Sequence, residues 1–104
     1  MKIKLISTKT NSDKIANEIA KLLVLKKLSP CVQIIPKVES IYNWKEKIEK
    51  SFELLIVIKT IPSNVYDCKE LILKYHNYNV PELVITDGEI IFNEYSDWFI
   101  KNTH

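Results

Sequence analysis

Residues 31–60, CVQIIPKVESIYNWKEKIEKSFELLIVIKT, carry the strongest structural signal in the chain. They predict two long antiparallel strands that turn at Asn43-Trp44-Lys45-Glu46. Apolar residues recur at every second position in both arms, which is typical of strands that bury one face. We expect the even-numbered positions to share that face along both arms. The run LLIVI at 54–58 is apolar at both parities and predicts a central strand covered on both sides.

Each arm of this hairpin is longer than an ordinary strand. About 13 residues at strand rise span roughly 43 Å, whereas a compact chain of this length has a diameter of roughly 33 Å. The tip should therefore project beyond the body and expose strand edges together with Ile41, Tyr42, Trp44 and Ile48. Soluble proteins avoid such surfaces. We therefore expect the hairpin to pair with other copies of the same chain.

The composition predicts one soluble globular domain over residues 1–104, with 46% hydrophobic and 27% charged residues. The net charge is only +2 and the chain contains no arginine. Because bidentate guanidinium contacts are unavailable, we expect no nucleic-acid partner. The only glycine, Gly88, excludes Gly-rich phosphate loops. No apolar run approaches the roughly 20 residues of a membrane span, so we expect a cytoplasmic protein without a membrane partner.

The predicted element order is β-α-β-β-α-β followed by a C-terminal helix. This order is typical of an α+β, ferredoxin-like fold, in which right-handed crossovers place strands one and three in the centre. Pro36 cannot donate a hydrogen bond to a ladder and predicts an edge strand or a bulge. Asp87-Gly88 predicts a tight turn after the last strand, with a small extra strand over residues 89–92.

Several blocks of the sequence together resemble the CutA family of divalent-ion tolerance proteins. They are CVQIIP at 31–36, SIYNWK at 40–45, KIE at 47–49, IKT at 58–60, HNYNVPE at 76–82, and Tyr95 with Trp98. The resemblance covers essentially the whole chain. It implies a ferredoxin-like homotrimer whose hairpins extend onto neighbouring subunits, a link to divalent-metal tolerance, copper binding in some members, and no catalytic activity. The assembly also resembles that of PII signalling trimers. The alternative function is therefore a PII-like regulator that binds a small anionic metabolite or a protein partner at clefts between subunits.

The chain departs from the family's motifs at informative positions. Lys37 and Glu46 replace glycines in Ile-Pro-Gly and Trp-x-Gly-Lys, which makes the predicted bulge and turn more demanding of backbone geometry. Asn77 replaces the proline of His-Pro-Tyr. Copper-binding members use a strand-one cysteine and one or two histidines near this motif, where the present chain has Ser7 and only His76.

His76 and Glu82 are the candidate metal residues. In one interpretation His76 is a single ligand for a divalent cation, copper or zinc, completed by Glu82 or by symmetry-related subunits. In the other, His76 ends a helix and is satisfied by backbone carbonyls and the helix dipole.

Tyr42, Trp44 and Tyr78 are predicted to line a cleft between subunits, with Cys31 inside the interface and Lys59 attracting an anion. The alternative is that the aromatic residues are plain interface anchors and that Lys59 is a solvated strand end. No base is predicted beside Cys31, so we expect no enzymatic activity and no catalytic residue.

Overall fold

The computed structural model describes all residues 1–104. A four-stranded antiparallel sheet has the strand order β2-β3-β1-β4, with β1 and β3 in the centre as predicted. The α+β ferredoxin-like fold with a C-terminal helix is confirmed. Its elements are β1 (Lys2–Thr10), α1 (Asp13–Leu25), β2 (Cys31–Trp44), β3 (Lys47–Thr60), α2 (Val65–Tyr75), β4 (Val84–Glu89) and α3 (Asn93–Lys101), with a short 3-10 turn at Pro62–Asn64 before α2. None of the helices is long and apolar enough to cross a membrane.

The hydrophobic core lies between α1, α2 and one face of the sheet, called here the helix-covered face. Even-numbered residues of β1 and β3 point into it, since Ile6 pairs with Ile58 and Thr8 with Ile56. The helices contribute an i, i+3, i+7 stripe from α1 and a matching set from α2. The buried core comprises Ile6, Ala16, Ile19, Leu23, Leu54, Ile56, Ile58, Cys68, Leu71 and Ile72.

The other face of the sheet, called here the open face, carries the odd-numbered residues of β1 and β3. Leu5, Leu55 and Val57 lie there and are only half-buried. Within one chain, the LLIVI segment is therefore covered on one side rather than on both. The apolar character of its second side leaves a surface that a further copy of the chain could cover.

The hairpin extends well beyond the body. Both β2 and β3 contain 14 residues, and the molecule measures 46 × 24 × 22 Å along its principal axes. Lys45 and Glu46 form a two-residue turn with φ values of 51° and 64°, the left-handed pair that a type I′ turn requires. At the tip, Ile48 is 82% exposed and Trp44 is 52% exposed. The predicted projection of an apolar tip is confirmed.

Pro36 lies both on an edge strand and at a bulge. The β2–β3 register shifts between Ile35 and Val38, and Lys37 adopts a φ of 60°. β2 is an outer strand of the sheet, so the missing proline N–H breaks no inner ladder. Both alternatives predicted for Pro36 are confirmed.

The bulge also reverses which residues of β2 face the helices. Before it Ile34 pairs with Ile56, whereas beyond it Tyr42 pairs with Glu49. Our expectation that even positions share one face along both arms is therefore wrong. Because one extra residue shifts the alternation, Tyr42 lies on the open face and Phe52 on the opposite one. The distal hairpin thus exposes apolar side chains on both of its faces.

The predicted turn at Asp87-Gly88 is wrong, as is the extra strand over residues 89–92. Asp87 and Gly88 lie inside β4, where they pair with Lys4 and Ile3 of β1. Ile90 continues this ladder through two backbone hydrogen bonds with Met1. The long partner strand keeps the chain extended, and tertiary pairing overrides the local turn preference.

Candidate functional site

A cluster of polar side chains lies on the open face where the hairpin leaves the body. Lys9 comes from the end of β1 and Glu53 from β3. His76, Tyr78 and Glu82 come from the segment that connects α2 to β4. We call these five residues the Glu53 cluster.

Both ring nitrogens of His76 are hydrogen-bonded within the chain. Nε2 lies 2.8 Å from the carbonyl oxygen of Lys9, and the backbone N–H of Tyr78 donates to Nδ1 over 3.0 Å. This arrangement requires a neutral ring that carries its proton on Nε2. Burial lowers the pKa of His76, although the Lys9 carbonyl and the Glu53 carboxylate act in the opposite direction. The prediction that a backbone carbonyl satisfies His76 matches the observed contact, but the carbonyl belongs to β1 rather than to the helix.

Tyr78 satisfies a buried carboxylate. Its hydroxyl donates to Oε2 of Glu53 over 2.7 Å, and Glu53 is only 7% exposed. Burial, followed by the hydrogen bond to Glu53 and its negative charge, raises the pKa of Tyr78 far above its ordinary value. The phenol therefore stays protonated and remains a donor. Its ring also contacts His76, with centroids 4.9 Å apart.

Lys9 lies between two carboxylates. Its Nζ is 3.3 Å from Glu82 and 4.0 Å from Glu53, and it donates to the hydroxyl of Ser40 over 3.2 Å. With His76 neutral, the cluster has one positive and two negative charges. Such an arrangement attracts a cation rather than an anion.

Asn77, which stands where the His-Pro-Tyr motif has proline, fixes its segment through side-chain hydrogen bonds. The hydroxyl of Thr10 donates to its side-chain oxygen over 2.6 Å, and its amide donates to Asn11 over 2.8 Å. These bonds tie the segment after α2 to the end of β1. They hold the backbone in place where a proline would have restricted it covalently.

The residues of a single chain do not fit a metal ion. No group of three or more His, Cys, Asp or Glu side chains converges to hold one. His76 uses both ring nitrogens, and Glu82 is paired with Lys9. A metal at His76 and Glu82 would therefore need a rotated imidazole and ligands from another subunit.

The five residues predicted to line a cleft lie at three separate places in one chain. Tyr42 lies near Tyr78, and the phenol of Tyr42 helps to raise the pKa of Tyr78. Trp44 lies at the hairpin tip. Cys31 and Lys59 are direct partners at the opposite end of the hairpin. Lys59 lies six positions after Glu53 in β3, roughly 20 Å at strand rise. A cleft that contains all five would require more than one chain.

Lys9 and Glu53 were not predicted from the sequence as site residues. Glu53 occupies an odd-numbered position of the second arm, on the side opposite the even-numbered apolar positions, where a charged residue needs no explanation. Its position directly before an apolar run was the available signal. The β1–β3 register places Lys9 and Glu53 on the same face, and the bulge in β2 brings Ser40 to that face beside Lys9. This geometry could not be inferred without the strand registers.

Comparisons with known proteins place the chain among close relatives. A family model described as CutA1 divalent ion tolerance protein matches residues 4–102. The divalent-cation tolerance protein CutA of Thermus thermophilus is 39% identical over 95 residues, which cover 88% of this chain and 89% of that protein. Mouse protein CutA is 40% identical over 87 residues, or 84% of this chain, and the chain spans about half (49%) of that longer relative.

Solved structures of the same kind share the fold. The Cut A1 protein from Thermus thermophilus superposes with a TM-score of 0.91 at 34% identity, covering 98% of this chain and 99% of that one. The compartments named for relatives differ, since one from Arabidopsis thaliana is called chloroplastic and one from Archaeoglobus fulgidus periplasmic.

Proposed function

The chain belongs to the CutA1 family of divalent ion tolerance proteins, and from this premise we propose that it acts as a non-catalytic, homotrimeric tolerance protein in the cytoplasm. In this proposal a divalent cation, copper or zinc, binds weakly at the Glu53 cluster of an assembled trimer. Self-association is the step on which the metal site depends, because one chain offers too few ligands.

The distal hairpin is the observation that carries this proposal. Apolar residues are exposed on both of its faces, with Tyr42 and Trp44 on one and Ile48 and Phe52 on the other. A single-sided partner would leave one face in water. Insertion between two neighbouring copies covers both, and a closed ring of three gives each hairpin such a position.

Self-association is tested by multi-angle light scattering at micromolar concentration. The chain has a mass of 12.2 kDa, so a trimer should scatter as a particle of about three times that mass. Trp44→Glu combined with Ile48→Glu places charge on both hairpin faces and should shift the population towards the monomer. A wild-type particle of monomer mass would contradict the assembly.

The metal part of the proposal rests on charge and on the imidazole of His76, which is hydrogen-bonded at both ring nitrogens. The two carboxylates of Glu53 and Glu82 outweigh the single positive charge of Lys9. His76 lies beside them. Imidazole and carboxylate together suit copper and zinc. A weak site is expected, since His76 must first release the N–H of Tyr78.

Isothermal titration of Cu²⁺ and Zn²⁺ into the assembled protein tests this site. We expect His76→Ala and Glu82→Gln each to weaken binding, whereas His104→Ala should leave it unchanged. Identical isotherms for wild type and His76→Ala would remove the metal role. Competent assembly of each variant is checked by light scattering.

A second candidate function is a PII-like regulator that binds a small anionic metabolite at inter-subunit clefts, or a protein partner. The observation that favours the anion is Lys59, which takes part in none of the ion pairs of the chain. A thermal-shift panel of divalent ions against organic acids and nucleotides separates the two functions. Stabilisation by neither ligand class would leave the protein partner.

A further inference from the structure

A second feature of the open face is a cavity beside α3. It has a volume of about 560 Å³, within the usual range for small-ligand sites. Strands β1 and β4 form its floor with Ile3, Leu5 and Gly88, and the residues before and within α3 form its wall with Phe92 and Tyr95. Its lining is mostly apolar, and Lys59 supplies the positive charge within it.

Lys59 has no acidic partner although it is half-buried. Every ion pair of the chain involves Lys4, Lys9 or Lys50 instead. Its ammonium lies 5.9 Å from the centre of the Tyr95 ring, and the hydroxyl of buried Ser29 donates to its backbone carbonyl over 2.6 Å. The charge is thus held at the cavity by contacts that leave its hydrogen-bonding capacity for another acceptor.

Gly88 keeps the floor of the cavity open. A glycine in a strand interior weakens the strand, and one reason to tolerate it is the close approach of another group. A Cβ at this position would lie 3.2 Å from Cδ1 of Leu5 and 3.3 Å from Cγ1 of Ile3. A side chain at this position would therefore require Leu5 and Ile3 to shift by a few tenths of an ångström. The only glycine in the chain lies where a side chain would narrow the cavity.

We propose that this cavity binds a small apolar monocarboxylate, with its carboxylate on the Lys59 ammonium and its hydrocarbon part over Gly88 between the β1 side chains and Tyr95. The exposed Glu89 at the cavity lining adds a negative charge, which disfavours a second anionic group on the ligand. Every lining residue belongs to one chain, so the site needs no metal. It deepens the second candidate function, because the anion of that function rests on the same Lys59.

Phenylacetate is the probe, and phenylacetamide is the matched ligand of the same shape without charge. Methyl NMR of the full-length protein in its native assembly, with EDTA present, follows Ile3 and Leu5. We expect saturable shifts with phenylacetate, and binding about 10- to 100-fold weaker for the amide, because its carbonyl can still accept from Lys59 but carries no negative charge. Phenylmalonate, which carries a second carboxylate, should also bind more weakly.

Variants of the protein sharpen the same test. Lys59→Met should lose phenylacetate binding by a similar factor, whereas Lys69→Met, at an exposed site on α2, should bind as the wild type does. Gly88→Ala should weaken the acid and the amide alike. Equal affinity for acid and amide overturns the proposal without any variant. The proposal is also overturned if phenylacetate causes no methyl shifts. It is overturned as well if Ile3 and Leu5 contact a second copy of the chain that phenylacetate does not displace.

Discussion

The two ends of the open face differ in whether their charged side chains are paired. At the hairpin end, the Glu53 cluster connects Lys9, Glu53 and Tyr78 through hydrogen bonds and ion pairs. At the α3 end, Lys59 lies over an aromatic ring and beside an apolar cavity, without a carboxylate partner. In the first arrangement the polar groups bind one another within the chain. The second leaves its charge for a ligand.

This difference has an energetic reason. Glu53 is buried, and a carboxylate removed from water is costly unless donors satisfy it. Lys59 is only half-buried, so the absence of a partner costs little. Substitutions at the two ends should therefore affect stability to very different extents.

The largest effect is expected for Tyr78→Phe. Loss of the hydroxyl removes the close donor to the Glu53 carboxylate and should lower the free energy of unfolding by about 2 kcal/mol. Urea unfolding at a fixed protein concentration measures it. Tyr66→Phe is the control, because its hydroxyl contacts Glu70 in solvent and its loss should change stability little. Equal effects of the two substitutions would mean that the hydrogen bond from Tyr78 to Glu53 stabilises the fold no more than an exposed one does.

An intermediate effect is expected when the same substitution is made at both ends of the face. Lys9→Met removes the ammonium between Glu53 and Glu82 and should cost about 1 kcal/mol. Lys59→Met removes a charge without an acidic partner and should stay within about 0.5 kcal/mol of wild type. Urea midpoints of both variants give the answer. A larger loss for Lys59→Met would reverse the comparison.

The smallest effect is a dependence of stability on pH through His76. Burial lowers the pKa of the folded imidazole, so the unfolded chain takes up a proton first as the pH falls below its ordinary value of about 6.5. The stability that the neutral ring contributes is therefore complete above that pH and declines below it. Urea midpoints at pH 7.5 and 5.5 should differ less in His76→Gln, which can still donate and accept, than in wild type. An unchanged difference would exclude His76 as its source.

Much of the fold could be predicted because its signals are local. Period-two alternation located both long strands, the apolar run at 54–58 identified a central one, and the chemistry of Pro36 predicted an edge and a bulge. The prediction at Asp87-Gly88 failed because pairing with β1 outweighed a two-residue turn preference. His76 was singled out from its motif, but its bonding partners come from β1 and could not be seen in the local sequence.

The sequence by itself determined the order of elements and the reach of the hairpin beyond the body, since alternation and strand rise act residue by residue. Only the tertiary structure decided which face each distal residue occupies. One extra residue at the Pro36 bulge exchanges the two faces of β2, and a single-residue shift reverses every side chain beyond it. That exchange brings Ser40 to Lys9 beside Glu53, while the packing of α3 above Gly88 leaves Lys59 facing a cavity.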